Sequence, residues 1–377
     1  MDKASPPQKI ASLTCQDPDD AVAKAPRQSR HTENVTTIGS SADARDGALF
    51  EARIACPVCG SIHSATLFTA GYEAPQVRRH VESHYRNQGT VNCDILKGFD
   101  YTIMECPNCE LIYQKNTPSD RMLSVIYDQF IDPDKLKRFE FDRLTADNFQ
   151  DVSRRLIDLL AILGKEPKDV SLLDFGFGYG RWARVAVGMG MSVYATEISP
   201  EKIAFARSIG VTILTDAELK NRRFDIVHTE QVFEHLTDPV AVFDMLADCV
   251  AEGGLFKIAV PRQGRIRDLL RKNGFIDWSP FEFDFQRRRR FNDYNTILPL
   301  EHVNSFSRKS VEVLASRAGM TVTVGRFGGH HIDVDVGSYR SFGRSLRLLG
   351  IRLLKDLYVN LGPGRRDSGY YILRKEA

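Results

Sequence analysis

The sequence predicts an open α/β fold: a seven-stranded, mostly parallel sheet with helices on both faces, joined to a small cysteine-bearing module on its N-terminal side. Three observations predict it. Short apolar strands alternate with helical periods between residues 170 and 260, a glycine-rich turn follows the first of those strands, and two Cys-Pro-x-Cys pairs precede it. Strands that alternate with helices form parallel βαβ units under right-handed crossovers.

Composition narrows the class before any motif is used. The chain has 377 residues, with 51 basic against 49 acidic side chains and a formal net charge of +2. No bulk attraction to nucleic acid or to an anionic membrane is indicated. No charge-free apolar run approaches the ~18 residues that a membrane span needs. Residues 1–49 are rich in Ala, Ser, Thr, Pro and charge and lack the apolar core of a secretory signal. Such a segment buries too little surface to offset its ordering entropy, so a disordered tail is expected. The seven cysteines are odd in number and follow no signal, which points to a reducing, cytoplasmic setting.

Residues 50–115 form the expected cysteine module, with β-like runs at 101–104 and 111–113. Residues 116–168 are expected as a helical linker or cap. Thr117-Pro118-Ser119-Asp120 marks a helix start, and the apolar spacing of 154–163 closes at Gly164, a natural C-terminal signal. Strands are expected at 170–174, 192–196, 211–214, 224–229 and 254–260, with helices over 181–187, 201–208 and 239–250. After an irregular, Arg-rich stretch at 262–306 come a helix at 308–318, a strand at 321–324, a basic amphipathic run at 345–361 and a last strand at 370–373. The main domain is therefore 169–377, with 262–306 and 338–367 as insertions or a lid.

The turn Leu172-Leu-Asp-Phe-Gly-Phe-Gly-Tyr-Gly-Arg-Trp182 carries most of the functional argument. Glycines at 176, 178 and 180 let the backbone turn off the strand and approach a ligand closely. Glu197, at the end of the next strand, stands where a carboxylate accepts from ribose hydroxyls. A dinucleotide site is the rival, but its third glycine falls where this chain has Arg181. Asp174 would also repel a pyrophosphate, whereas it tolerates a sulfonium and an amino group. The spacing D-x-G-x-G-x-G thus favours S-adenosylmethionine.

Residues 170–260 resemble the class I S-adenosylmethionine-dependent methyltransferases, in the group whose fourth strand leads into a Glu-His-Leu-x-Asp-Pro signature. Here that stretch runs from Phe224 to Pro239 and includes Glu234-His-Leu-Thr-Asp-Pro239. Gly253-Gly254 before the fifth strand and Glu301-His-Val-Asn-Ser-Phe-Ser307 before the late helix also match. The resemblance implies a Rossmann-like sheet in which Asp174, Gly176, Phe177, Gly178, Tyr179 and Gly180 hold the methionine portion of the cofactor. It implies that Glu197 binds the ribose, Ile198 packs on the adenine, and Asp216 with the Ala217 backbone faces the adenine amino group. Asp216 has an equal reading as a helix cap. Glu230 and Gln231 close the pocket under the methionine end.

Cys56-Pro-Val-Cys59 and Cys106-Pro-Asn-Cys109 are two knuckles separated by 46 residues. Each offers two thiolates from one tight turn, and together they complete a closed tetrahedral shell that suits a structural Zn2+ in a zinc-ribbon-like module. Cys93, His80 and His84 lie in the intervening loop as competing ligands. A subgroup of the same methyltransferases shares this arrangement, and some of its members methylate carbon on nucleotide-linked sugars.

For the chemistry, His302 and His235 are the candidate bases, each with a plain packing role as the other reading; His330 and His331 are placed to reach the same mouth. The Arg287–Arg290 run reads as a solvated face or as an anion site, and 345–361 as a packed helix in preference to a membrane-surface one. The expected function is methyl transfer from S-adenosylmethionine to a small-molecule or glycan acceptor, with a sugar or nucleotide-sugar among the candidates. The alternatives are a nucleic-acid methyltransferase that binds through its zinc module, and a non-catalytic zinc- and ligand-binding scaffold. Glu230-Gln-Val-Phe233 stands where amine-directed nucleic-acid enzymes carry Asn/Asp-Pro-Pro-Tyr/Phe, which disfavours the former.

Overall fold

The computed structural model describes residues 48–86, 88–197, 199–264, 266–273, 296–323, 337–360 and 369–376. Ile198, the Arg287–Arg290 run, His330, His331 and residues 1–47 of the expected tail lie outside the described residues. In chain order the strands are β1 (Phe50–Ala52), β2 (Ala65–Gly71), β3 (Asp100–Glu105), β4 (Ile112–Gln114), β5 (Asn116–Pro118), β6 (Ser171–Phe175), β7 (Ser192–Thr196), β8 (Thr212–Ile213), β9 (Phe224–Glu230), β10 (Val250–Ala259), β11 (Asn304–Ser305), β12 (Met320–Thr323) and β13 (Tyr370–Lys375).

Seven of them form one sheet in the order β12-β13-β10-β9-β6-β7-β8. Strands β10, β9, β6, β7 and β8 are mutually parallel, while β13 runs antiparallel to both β10 and β12. The expected seven-stranded, mostly parallel sheet is therefore present, with β12 and β13 as an antiparallel pair at one edge. The chain moves outward from β6 through β7 to β8 and then returns to β9 on the other side of β6. That reversal opens a crevice at the carboxyl ends of β6 and β9, where open α/β sheets bind ligands.

The central strands are apolar on both faces, as burial under two helix layers requires. Leu173, Val227, Phe256 and Ile258 pack into one core, Leu172, Ile226 and Leu255 into the other. The helix Ala146–Leu163 closes the second core with Val152, Leu156, Leu159 and Leu160. It starts at the Thr145 side chain, which accepts from the Asn148 N–H, and ends at Gly164 in a left-handed conformation. Ser119 caps Asp120–Val125 in the same way, as its sequence context predicts. A short helix, Asp216–Lys220, does start past β8, but its cap is Thr215 and not Asp216: Thr215 and Glu218 form a reciprocal capping box.

The cysteine region is woven into this body. Strands β2, β3, β4 and β11 make an antiparallel sheet in the order β11-β4-β3-β2, so residues 304–305 extend a sheet begun near residue 65. Asn304 is fully buried at that junction. Its Nδ2 donates to the carbonyls of Phe233 (3.2 Å) and Leu236 (2.6 Å), and its Oδ1 accepts from Arg53 at 2.9 Å. Arg53 also donates to the carbonyls of Thr237, Leu236 and Val303. Two side chains thus tie the cysteine region, β11 and the turn after β9 together, and the described residues belong to one compact unit. Replacing Asn304 by Ala strips the Phe233 carbonyl of a donor inside the core. A loss of about 2 kcal/mol is expected. It is read as a lower denaturant midpoint at unchanged slope.

Candidate functional site

The glycine-rich turn leaves β6 after Phe175. Gly176, Gly178 and Gly180 all have positive φ, at 86°, 56° and 68°. At Gly176 a Cβ would come within 2.5 Å of the Val232 side chain, so the turn after β9 packs directly on this loop. At Gly178 a Cβ would meet nothing within 4 Å, which leaves backbone facing open space. That space is a cavity of about 210 Å³, walled by Asp174, Gly176, Phe177, Gly178, Tyr179, Glu230 and Gln231 together with Arg181, Trp182 and His228. Seven of the expected cofactor residues therefore line one hollow. Gly180 begins the helix Arg181–Gly188 just beside it.

Glu197, Asp216 and Ala217 are not part of that wall. Glu197 lies just past β7, where its carboxylate accepts from the Ser199 N–H at 2.9 Å with Lys202 3.9 Å away. Asp216 and Ala217 are exposed at the start of their short helix, past β8. The far wall comes from the helical cap, through Glu140, Arg143 and Leu144. Phe141 meets Tyr179 edge-on at 5.2 Å, which holds the cap against the glycine loop.

Beneath the loop runs a row of polar side chains. Asp174, His228 and Lys257 are lateral neighbours in the register of β6, β9 and β10, so all three project from one face of the sheet. Each is at most 4% exposed. The Lys257 ammonium donates to His228 Nε2 at 2.9 Å, and His228 Nδ1 donates to Asp174 Oδ1 at 2.8 Å. Acceptance at Nε2 assigns the ring proton to Nδ1. The ammonium also lies 3.8 Å over the Trp182 ring and 3.4 Å from Glu230 Oε2. Burial pushes Lys257 down to about 8, although Glu230 opposes the shift. Burial works against the Glu230 carboxylate, yet Lys257, His228 and Arg181 hold it well below the usual carboxylate range. Asp174 is therefore one member of a compensated set and not the lone negative charge weighed from the sequence. At Gln231 the chain takes a φ of 56°, rare for a side-chain-bearing residue, as it turns along the cavity wall.

Arg181, Trp182, His228 and Lys257 were missed as site residues. The available signal was a lysine inside an otherwise apolar strand, Leu255-Phe-Lys-Ile-Ala259, which must have a buried partner. Only the strand register supplies that partner.

The four cysteines converge as their spacing predicts. Cys56 Sγ lies 3.5 Å from Cys109 Sγ and Cys59 Sγ 3.4 Å from Cys106 Sγ, and all four sulfurs fall within 4.8 Å of one another. Sulfurs ~2.3 Å from one zinc stand roughly 3.8 Å apart, so the set fits the ion with little movement. The knuckles are near copies. In each, the residue four after the first cysteine donates back to that cysteine's carbonyl at 2.9 Å from a left-handed conformation, Gly60 (φ 71°) in one and Glu110 (φ 61°) in the other. Cys93 and His80 are buried in a separate core with Tyr85 and Phe130, and neither they nor His84 joins the four-sulfur cluster.

His235 and His302 come together from distant parts of the chain, with ring centroids 4.7 Å apart and edge to face. Burial depresses the His235 pKa, partly offset by the Glu301 carboxylate. Glu234 beside them is fully buried, and that burial pushes it up to about 8.

Residues 148–324 match a family described as a methyltransferase domain. No curated protein matches the chain. Among solved structures, the chain is similar to the plantazolicin methyltransferase BpumL in complex with a monoazolic desmethyl-plantazolicin analogue and SAH, at 16% identity and a TM-score of 0.39, over 67% of this chain and 93% of that one. It is also similar to SAM-bound CalS10, an amino pentose methyltransferase from Micromonospora echinaspora, at 23% identity and a TM-score of 0.25, over 29% and 48% of the two chains. The glycopeptide N-methyltransferase MtfA complexed with sinefungin gives 17% identity and a TM-score of 0.24, over 29% and 54%. The methyltransferase-domain match over residues 148–324 and the order of the seven-stranded sheet together define the class of enzyme, an S-adenosylmethionine-dependent methyltransferase.

The charge row makes a testable statement about pH. An ordinary lysine titrates near 10.5 and Lys257 near 8, so the folded state binds fewer protons than the unfolded one between these values. Stability contributed through Lys257 must therefore rise as pH climbs from about 8 to 10.5, by up to roughly 3 kcal/mol. Lys257→Met should lose that rise. Denaturant titrations of both proteins across the window would show it as a gap that widens in favour of the wild type.

Proposed function

We propose that the cavity at the carboxyl ends of β6 and β9 binds S-adenosylmethionine and that the protein methylates a small-molecule or glycan acceptor. The observation that carries this reading is the open backbone at Gly178, flanked by Asp174, Glu230 and Gln231. The bound cofactor supplies a methyl group on a sulfonium that is already activated. Asp174, Gly176, Phe177, Gly178, Tyr179, Gly180, Glu230 and Gln231 receive its methionine portion. Arg181 offers a guanidinium for the carboxylate and Glu230 an acceptor for the amino group. Glu197 serves the ribose hydroxyls, with Asp216 and Ala217 at the adenine end. The buried Asp174–His228–Lys257 row keeps water from beneath the loop and fixes the Asp174 carboxylate. Methyl transfer needs close placement of the nucleophile behind the methyl carbon more than it needs proton movement. His235 and His302, paired where the turn after β9 meets residue 302, are the groups offered to the acceptor.

The four-cysteine cluster is proposed to hold a structural zinc. It joins the two knuckles to the same core that contains Leu173, Phe233 and Phe306. The division into a cysteine module (50–115), a helical cap (116–168) and a catalytic domain (169–377) is proposed as an organisation of roles within one packed body. The nearly balanced net charge supports an acceptor other than bulk nucleic acid, and the odd cysteine count supports a reducing, cytoplasmic setting.

Incubation with methyl-labelled S-adenosylmethionine and fractionated host extract tests the proposal directly. Label is expected in the small-molecule or glycan fraction, whereas label in RNA would overturn the acceptor class. Gly178→Ala puts a methyl group into the cavity and adds left-handed strain of ~1 kcal/mol. The variant should stay folded while cofactor affinity, measured by calorimetry, falls at least tenfold. Cys106→Ser should remove one bound zinc per chain and reduce the thermal midpoint sharply, since a structural zinc site contributes folding energy outright.

A further inference from the structure

Three chemistry-bearing side chains, two of them the histidines offered to the acceptor above, cluster on and against the turn that follows the cavity-wall residue Gln231. Glu234, His235 and His302 bring one carboxylate oxygen and two ring nitrogens within 4.8 Å of one another. Glu234 has a relative exposure of 0%, and neither of its oxygens is bonded by another described residue. Burying a carboxylate without donors is costly, and such groups persist where a cation completes them. We propose that Glu234, His235 and His302 form a second metal site, distinct from the four cysteines, that takes one divalent first-row transition ion.

The donor set argues for the class of ion. Two imidazoles with one carboxylate suit zinc, cobalt, iron or nickel, whereas magnesium and calcium prefer shells of oxygen. Three protein ligands also leave a coordination position open, unlike the closed four-sulfur shell. The ligands come from rigid supports. His235 closes the one-turn helix Phe233–His235, whose Phe233 carbonyl is held by Asn304. The His302 carbonyl accepts from Gln114 Nε2 at 3.0 Å.

An outer layer is present as well. The His235 ring bonds to the Glu301 backbone. The Glu301 carboxylate lies 3.1 Å from His84 Nε2. Outer partners of this kind orient ligating imidazoles.

Location gives the ion a role. Gln231 walls the cofactor cavity, Val232 packs on Gly176, and Glu234 follows two residues later. An ion held there would offer its open position to a hydroxyl or carboxylate of the acceptor. This role rests on the methyltransferase reading above; the binding of the ion does not.

The test uses the full chain stripped with chelator and titrated with Co2+ alone. Two cobalt ions per chain are expected. One gives the thiolate charge-transfer absorption of the cysteine cluster, and the second gives ligand-field absorption with no added charge transfer. His302→Ala and Glu234→Gln should each remove the second ion and leave the charge-transfer band intact, which also reports that the variants fold. A wild type showing only the thiolate-bound ion, or a second ion that survives both substitutions, would overturn the site and leave Glu234, His235 and His302 as a proton relay. Calorimetry with S-adenosylmethionine on the same samples separates the two readings. Cofactor binding without the second ion sinks the metal site alone, and a second ion without cofactor binding sinks the cofactor reading alone.

Discussion

A lysine buried in the middle of a sheet constrains much of what surrounds it. Lys257 sits on β10 with apolar neighbours on either side in sequence, and its ammonium is almost wholly removed from water. Desolvating such a charge is tolerable only with partners in place. The parallel register supplies them by putting His228 beside it on β9 and Asp174 beyond that on β6. Trp182, from the first turn of the following helix, covers the ammonium with its ring face, and Glu230 completes the set from the end of β9. The glycine loop springs from the strand that carries Asp174, so the position of the cavity floor is set by this polar row as well as by backbone turn geometry.

The same constraint explains the cavity's electrostatics. Two carboxylates, Asp174 and Glu230, and the Arg181 guanidinium line one small cavity, with the Lys257 ammonium buried behind that wall against Glu230. Such a site offers both signs of charge within reach of one ligand. A zwitterionic amino-acid group, with ammonium and carboxylate on one carbon, is complementary to it in a way that a polyanion is not. In the sequence, Asp174 alone stands against a pyrophosphate. The structure reaches a similar preference by a different balance, in which separation of charge within the cavity matters more than its net sign.

Much of the fold was legible because it follows local rules. Alternating strands and helices, the Ser119 cap, the Gly164 stop and the two cysteine knuckles are each written within a few adjacent residues, and most fall within a residue or two of the expected position, although β10 begins at Val250, four residues before the expected 254. What could not be read depends on pairings across long separations. No local pattern states that β11, two residues long, adds to a sheet begun at Ala65, or that Arg53 reaches the turn after β9. His228 was visible as part of a motif, yet its role waited on the register that sets it between Asp174 and Lys257. His235 and His302 were singled out one at a time for their chemistry. That they touch is a product of the β4–β11 pairing and of Asn304, which draws the segment bearing His302 onto the Phe233–His235 turn.

These long-range ties bear on why a cysteine site and a methyltransferase sheet share one core. Cys109 and Leu111 pack with Phe233 and Phe306, and the Ser307 hydroxyl donates to the Cys109 carbonyl at 3.2 Å while also capping the helix Arg308–Arg317. The knuckle thus fixes the start of that helix and the path of the chain just before it, which includes His302. Arg53, three residues ahead of Cys56, fixes the other side through the Leu236 and Thr237 carbonyls. A movement of either knuckle would be passed to the turn that carries Glu234 and His235, because close-packed interiors transmit displacement and do not absorb it. On this view the cysteine cluster is a brace: the two Cys-Pro-x-Cys turns hold in register the two segments whose meeting brings Glu234, His235 and His302 together.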